Sequence, residues 1–221
     1  MAKRKGKTFI FEKEIRVLSS AGVAGRLEGE GPLGKCFDKV FEDTTMGEIC
    51  WEKAESDLLT AAMRTALKKG NIEEEKIDAV FAGDLLNQCI SSSFSLREMN
   101  VPFCGMFGAC STMALSSIGA CLAVESGAMR TCMAATSSHF CSAEKQFRFP
   151  LEYGGQRTPT AQRTVTGAGA LILSESDSVN LPKIVSAHIG SVQDLGINDS
   201  TNMGAAMAPA AAKTIYDFLR D

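Results

Sequence analysis

Reactive polar side chains occur at three points of the sequence where an apolar, strand-like segment ends. A carboxylate follows the first segment, a thiol and two hydroxyls follow the second, and two hydroxyls and an imidazole follow the third. Thiols can act as nucleophiles, and hydroxyls and imidazoles can donate hydrogen bonds to an anionic ligand. These candidate site residues are Asp84, Cys110, Ser111, Thr112, Ser137, Ser138 and His139.

Cys110 is the most informative of them, because it lies where a short extended segment changes into an apolar helix. The run from Met113 to Val124 predicts a helix that is buried on all sides and ends at Gly127. The first turn of such a helix presents unpaired backbone N–H groups and the positive end of the helix dipole. That environment activates a thiol or holds the carboxylate of a ligand. The alternative interpretation is a buried structural cysteine, since free cysteine behaves as a small apolar residue.

Composition narrows the classes of function. With 221 residues and 45% hydrophobic content, the chain can form one large core or two small ones. A net charge of −3 argues against a nucleic-acid-binding protein. The basic start of the chain, Met1 to Lys7, is not followed by the apolar segment of a secretory signal peptide. No apolar run is expected to span a membrane, so membrane contact is expected to be peripheral or through a partner.

The eight cysteines and two histidines do not predict a metal site. The cysteines are widely spread and form no C-x-x-C pair, and His139 and His188 are far apart in sequence. We therefore expect no metal ligands of this kind and a reduced protein whose cysteines mostly fill the core.

Strand-like and helix-like segments alternate along the chain, which predicts an α/β protein with a largely parallel sheet and helices on its faces. Ligands bind beyond the carboxyl ends of the strands in such sheets, so the three groups of polar residues are expected at one edge. The polar stretch from Phe140 to Thr164 is either a solvated loop or a segment that contacts a ligand or forms a dimer. The predicted strands are 15–23, 77–82, 101–103, 130–136 and 165–173, and the predicted helices are 51–69, ended by Gly70, and 92–99, besides the Cys110 helix.

The order of elements begins again near Pro182. A predicted strand at 183–192 repeats the strand at 15–23, and a predicted helix at 208–219, with Pro209 in its first turn, repeats the helix at 51–69. We therefore expect two units: residues 1–180 form a complete first half, and residues 181–221 form the start of a second half that is cut short.

Several motifs resemble those of known proteins. The runs GACS (108–111) and TGAGA (166–170), with the two-copy layout, are similar to the thiolase-like fold of thiolases and ketoacyl synthases. This resemblance implies a layered αβαβα fold. Longer runs, from near Phe11 to the last residue, resemble the stage V sporulation protein AD family of endospore-forming bacteria. They are AGDLLNQ (82–88), MFGACST (106–112), AATSSH (134–139), EYGGQ (152–156) and MAPAAA (207–212).

The resemblance implies a sporulation protein that binds dipicolinic acid and assists its uptake, with calcium, into the developing spore. It implies a homodimer that works with membrane-embedded partner proteins, inside a spore-forming bacterium and peripheral to the forespore or spore inner membrane. The helix start at Cys110, Ser111 and Thr112 would then donate to the dianion, and Ser137, Ser138 and His139 could add further donors. Asp84 would repel the bare ligand, but it could bridge to the ligand through calcium or orient a neighbouring donor.

The sequence departs from the catalytic thiolase-like pattern. The enzymes pair the cysteine with His, or with His and Asn, and neither His139 nor His188 matches those motif positions. His139 is expected at the edge of a pocket or in a loop, and His188 in a packed strand. Thr166 stands where ketosynthases commonly have Asp. Two alternatives remain: an acyltransferase that uses Cys110 as its nucleophile, and a non-catalytic structural subunit of a membrane transport assembly.

Overall fold

The computed structural model describes residues 2–147, 163–198 and 202–221. Strands and helices alternate in these ranges, as the hydrophobic pattern predicts. The strands are β1 (Lys3–Lys5), β2 (Thr8–Ile10), β3 (Ile15–Gly25), β4 (Lys39–Phe41), β5 (Ala79–Gly83), β6 (Phe103–Gly105), β7 (Thr131–Ser138), β8 (Gly167–Glu175) and β9 (Ser186–His188). The helices are α1 (Arg26–Gly29), α2 (Trp51–Gly70), α3 (Ile90–Leu96), α4 (Thr112–Ser126), α5 (Phe140–Phe147) and α6 (Met203–Arg220).

A six-stranded mixed sheet forms the centre of the molecule, in the order β4-β3-β8-β7-β5-β6. Neighbouring strands are parallel except around β8, which is antiparallel to both β3 and β7. The prediction of a largely parallel sheet is therefore wrong for β8. A buried strand has the same apolar composition in either direction, so its sequence does not reveal its orientation.

The core consists of two layers, one on each face of this sheet. Because side chains alternate along a strand, neighbouring residues of β7 lie in different layers. Met133 and Ala135 pack in the layer formed with α2, whereas Cys132 and Ala134 pack in the layer formed with α4. We call these two sides of the sheet the α2 face and the α4 face.

Helix ends follow the sequence closely, with one correction. α4 ends at Gly127, which takes the left-handed conformation at a φ of 77°, as predicted. α2 includes Gly70, and the left-handed residue that ends it is Asn71, with a φ of 50°. Asparagine tolerates this conformation better than other residues with a side chain, which makes it a natural helix end.

The expectation that α4 is buried on all sides is wrong in this structure. One face packs on the sheet, while Met113 and Ile118 are half-buried and Ala114 is exposed. The segment Ala109–Ser126 also has the length and composition of a membrane-spanning helix, which the sequence reading did not expect. It packs as a core helix against β5 and β7, and 33% of it is buried.

The last part of the chain differs most from the prediction. Only Ser186–His188 form a strand, and this strand pairs with β2 in a three-stranded sheet of order β1-β2-β9. The antiparallel pair β1 and β2, which the sequence reading missed, lies in the polar start of the chain. α6 begins at Met203, so Pro209 lies inside the helix instead of in its first turn. The division into units 1–180 and 181–221 stays a prediction.

Candidate functional site

The sheet separates the predicted site residues into two groups. Ser137 follows Met133 and Ala135 in the alternation along β7, so it lies on the α2 face, and Ser138 lies on the α4 face. The Cys110 segment also lies on the α4 face. A β-carbon on Gly83 would meet the Thr112 Cγ2 at 2.8 Å and the Met106 carbonyl oxygen at 1.7 Å, so only glycine fits there.

Cys110 lies in a 3₁₀ turn, Ala109–Ser111, immediately before α4. The thiol is exposed, so it is not a buried structural cysteine. Ala109 holds a left-handed φ of 45°, a conformation that costs energy for a residue with a side chain. Hydrogen bonds fix the turn: the Ser111 hydroxyl donates to the Gly108 carbonyl at 2.7 Å, and the Thr112 hydroxyl donates to the Ala109 carbonyl at 2.8 Å. The turn therefore presents Cys110 outward ahead of the helix.

Hydroxyls at the end of β7 are already bonded to the backbone. On the α4 face, the Thr136 hydroxyl donates to the Gly83 carbonyl at 2.9 Å, and the Ser138 hydroxyl donates to the Val165 carbonyl at 2.5 Å. Ser138 therefore ties the start of β8 to the end of β7. It must release Val165 before it can donate to a ligand.

Asp84 is fully buried, and it follows Val80 and Ala82 in the alternation along β5, which places it on the α2 face. Its carboxylate accepts hydrogen bonds from the Leu86 N–H at 2.9 Å, from the Ser92 N–H at 2.7 Å and from the Ser92 hydroxyl at 2.6 Å. Because Ser92 is in the first turn of α3, the carboxylate stabilises the start of this helix. Within the described ranges, no group of three or more His, Cys, Asp or Glu side chains could hold a metal ion.

His139 is buried and has both ring nitrogens bonded. Its Nδ1 accepts from the Cys141 N–H at 3.1 Å, so the proton is on Nε2, which donates to the Thr44 carbonyl at 2.9 Å. Burial lowers the pKa of the imidazole, and the ring stacks on Trp51 with 5.3 Å between centroids. His139 is therefore a neutral, positioned side chain.

A cavity of about 300 Å³ has His139 among its lining residues. The Arg163 guanidinium lies 4.3 Å from the centre of the Phe140 ring. The Glu28 carboxylate accepts from the Thr166 N–H at 3.1 Å, so it joins α1 to the start of β8. The lining residues are Arg26, Leu27, Glu28, Glu42, Thr44, His139, Phe140, Cys141, Arg163 and Thr166.

Comparison with known protein families shows which family the chain belongs to. The family described as Stage V sporulation protein AD (SpoVAD) matches residues 5–221. The chain belongs to this family. Stage V sporulation protein AD of Bacillus subtilis (strain 168) is 45% identical over 215 residues, which are 97% of this chain and 63% of that protein. The resemblance read from the sequence motifs is thus confirmed, and the chain is a sporulation protein that spans 63% of this relative's length.

Solved structures show the fold of this SpoVAD-family chain. OleA of Xanthomonas campestris with bound cerulenin superposes with a TM-score of 0.63 at 15% identity, covering 94% of this chain and 70% of that one. The 3-oxoacyl-(acyl carrier protein) synthase III of Xanthomonas oryzae pv. oryzae superposes with a TM-score of 0.62 at 16% identity, covering 94% and 72%. The predicted thiolase-like α/β fold is therefore confirmed.

Among the buried acidic residues that the sequence reading missed, Glu55 of this SpoVAD-family chain lies nearest the candidate site. Glu55 is fully buried on α2, where its carboxyl oxygens lie within hydrogen-bond distance of the hydroxyl oxygens of Ser137, at 3.1 Å, and Ser142, at 2.5 Å. It stands on the apolar stripe of α2, four residues before Leu59, and a carboxylate in such a stripe is the signal that could have revealed it.

Two other sequence predictions concern the polar stretch 140–164 and His188. The run 152–156 and most of the polar stretch 140–164 lie outside the described residues. His188, expected in a packed strand, belongs to β9, and its Nδ1 lies 2.8 Å from the Thr8 hydroxyl oxygen.

Proposed function

We propose that this chain binds dipicolinate and assists its uptake, with calcium, into the developing spore. The observation that carries the proposal is the exposed Cys110 turn at the start of α4. Dipicolinate is a flat dianion, so it needs hydrogen-bond donors and a positive potential. The first turn of a helix supplies a positive potential through its dipole, and polar side chains beside it supply donors.

Electrostatics at this turn suit an anion. α4 is 15 residues long and has no acidic residue in its first turn. The Ser111 and Thr112 N–H groups already donate to the Gly108 and Ala109 carbonyls, so we base the attraction for a carboxylate of the ligand on the helix dipole. We assign ligand contact to Cys110 and Ser111, with Ser138 at the margin, and a positioning role to Thr112, whose hydroxyl fixes the turn.

The residues on the α2 face have a different role in this proposal. Asp84 already accepts three hydrogen bonds, and Ser137 and His139 are bonded on the side of the sheet away from Cys110. In this proposal they stabilise the carboxyl ends of β5 and β7 from the α2 face and do not contact the ligand. Calcium would then reach the site with the ligand, instead of being held by Asp84.

Calorimetry with dipicolinate, with and without calcium, tests the proposal. Cys110→Trp fills the space in front of the helix start and should weaken binding by about tenfold or more. Cys110→Ser keeps the size of the side chain and should bind like the parent. Cys36→Trp, at an exposed cysteine in another 3₁₀ turn, is the matched control. Unchanged affinity in Cys110→Trp would refute the assignment.

An acyltransferase is the second candidate, because an exposed cysteine on a strained turn is also suited to nucleophilic attack. The histidines of the described part do not serve this chemistry: His139 lies on the α2 face, and His188 is bonded to Thr8. We therefore expect no acyl-enzyme. Intact-mass spectrometry after incubation with acetyl-CoA and with malonyl-CoA decides the matter, and a stoichiometric adduct on Cys110 would favour the acyltransferase.

We further propose that the protein forms a homodimer and acts inside the cell, at the periphery of the spore inner membrane, with membrane-embedded partners. A structural subunit without ligand binding is the remaining alternative. Sedimentation with spore inner membranes, combined with no heat of dipicolinate binding, would favour this alternative over the main proposal.

A further inference from the structure

Glu55 is a buried carboxyl group to which the described residues offer no cationic partner. It is fully buried on α2, and within the described ranges its two oxygens form hydrogen bonds with the hydroxyls of Ser137 on β7 and Ser142 on α5. A buried charge without a cation is costly, whereas a neutral carboxyl group bonded to hydroxyls is not.

The Ser142 hydroxyl indicates which form of Glu55 the structure holds. Its oxygen lies 2.5 Å from the Glu55 Oε2 and 3.0 Å from the His139 carbonyl oxygen. One hydroxyl proton makes one good hydrogen bond, so the second contact is satisfied when Glu55 carries a proton of its own. The geometry therefore favours the neutral acid.

The charged groups around Glu55 also oppose its ionisation. Asp84 approaches from β5 and Glu52 lies one turn earlier on α2, and both raise the pKa of Glu55. On α5, Lys145 is engaged by Glu52 at 2.6 Å, and the His139 imidazole that precedes α5 is neutral. Burial is the largest cause, and together these effects raise the pKa of Glu55 to about 7.

α5 buries few of its residues. Of its eight residues only Ser142 and Ala143 are buried, whereas α2 buries nine. Side chains hold it to α2 at three places: His139 stacks on Trp51, Ser142 bonds to Glu55, and Lys145 bonds to Glu52. Elements with so little buried surface open first.

We propose that Glu55 is a proton-operated latch that holds α5 on α2 when it is neutral and releases α5 when it is ionised. The proton leaves to solvent, and the carboxylate then needs water, which reaches it once α5 moves away. Phe140 and Cys141 of α5 line the cavity beside His139. Release of α5 therefore opens that cavity, and this inference does not depend on the ligand proposed above.

Trp51, the single tryptophan of the chain, reports on this contact directly. Its emission should show a transition with a midpoint near pH 7 in the parent protein. The transition should be absent in Glu55→Gln, which keeps a neutral side chain at every pH. It should persist in Glu98→Gln, a control that neutralises an exposed carboxylate. His139 titrates at lower pH and does so in every variant.

Two results would overturn the latch: no transition in the parent protein, or the same transition in Glu55→Gln. Ser142→Ala provides a second test if Glu55→Gln does not fold. The Ser142 hydroxyl joins Glu55 to α5, so its loss should uncouple α5 from the proton on Glu55 and abolish the transition in Trp51 emission. A ¹³C carboxyl titration of the parent protein must give the same midpoint, and a Glu55 signal that titrates near its ordinary pKa would also contradict the proposal.

Discussion

The two faces of the sheet differ in how they present the polar side chains at the strand ends: one exposes a thiol, and the other buries its polar groups. On the α4 face, Cys110 is exposed on a strained turn ahead of a helix. On the α2 face, Glu55, Asp84 and His139 are buried and bonded within the protein. Water competes for contacts at the exposed Cys110 thiol, while burial shifts protonation on the second face. An open face suits a ligand, and a closed face suits structural support and proton binding.

The largest expected effect is a loss of stability when a side chain is added at the tightly packed Gly83. Gly83→Ala would place its β-carbon against the Met106 carbonyl, which is backbone and cannot yield cheaply. We expect a loss of about 3 kcal/mol or more in the free energy of unfolding, measured in urea. Gly105→Ala is the control, since its nearest atom would be 3.5 Å away. A stable Gly83→Ala protein would contradict the packing described here.

Asp84 tests the claim that the α2 face is structural. Asp84→Ala leaves the buried N–H groups of Leu86 and Ser92 without their acceptor. The expected cost is about 2–3 kcal/mol in the free energy of unfolding. Asp177→Ala, at an exposed position, should change it by less than about 0.5 kcal/mol. Equal stability of the two variants would contradict a structural role for Asp84.

The raised pKa of Glu55 should make the free energy of unfolding depend on pH. Its pKa is raised from 4.5 to about 7 in the folded protein, so the folded state binds the proton more tightly than the unfolded chain. Stability is then lost as pH rises through this window, by at most about 3 kcal/mol. Glu55→Gln should therefore be more stable than the parent at pH 8 and lose this advantage near pH 5. Parallel stability profiles of the two proteins would show that Glu55 does not titrate there.

The smallest effect concerns backbone strain at the Cys110 turn. Ala109→Gly removes the penalty of a left-handed alanine and should stabilise the protein by up to about 1 kcal/mol. Ala114→Gly, at an exposed position inside α4, should destabilise it by about 1 kcal/mol. Thermal melting of the two variants gives the signs, and equal destabilisation would mean that the turn is not strained.

Sequence patterns predicted the elements better than their arrangement. The apolar runs of β3 and α2, and Gly127 at the end of α4, are strong local signals, and they fixed the position of the Cys110 turn. Which side of the sheet each residue faces depends on strand register. Ser137 and Ser138 are adjacent in the sequence but face opposite sides. The direction of β8 is likewise set by its neighbours. Glu55 was missed because its burial depends on helices and strands that meet only in the folded protein.

Protection of the Cys110 thiol tests the central claim most directly, that the α4 face is the ligand-binding face. Maleimide labelling, read by mass spectrometry of the peptides, should modify Cys36, Cys50 and Cys110, which are exposed. Saturating dipicolinate should slow the labelling of Cys110 by about tenfold and leave Cys36 and Cys50 unchanged. Equal labelling of Cys110 with and without a ligand that calorimetry shows to be bound would contradict the account.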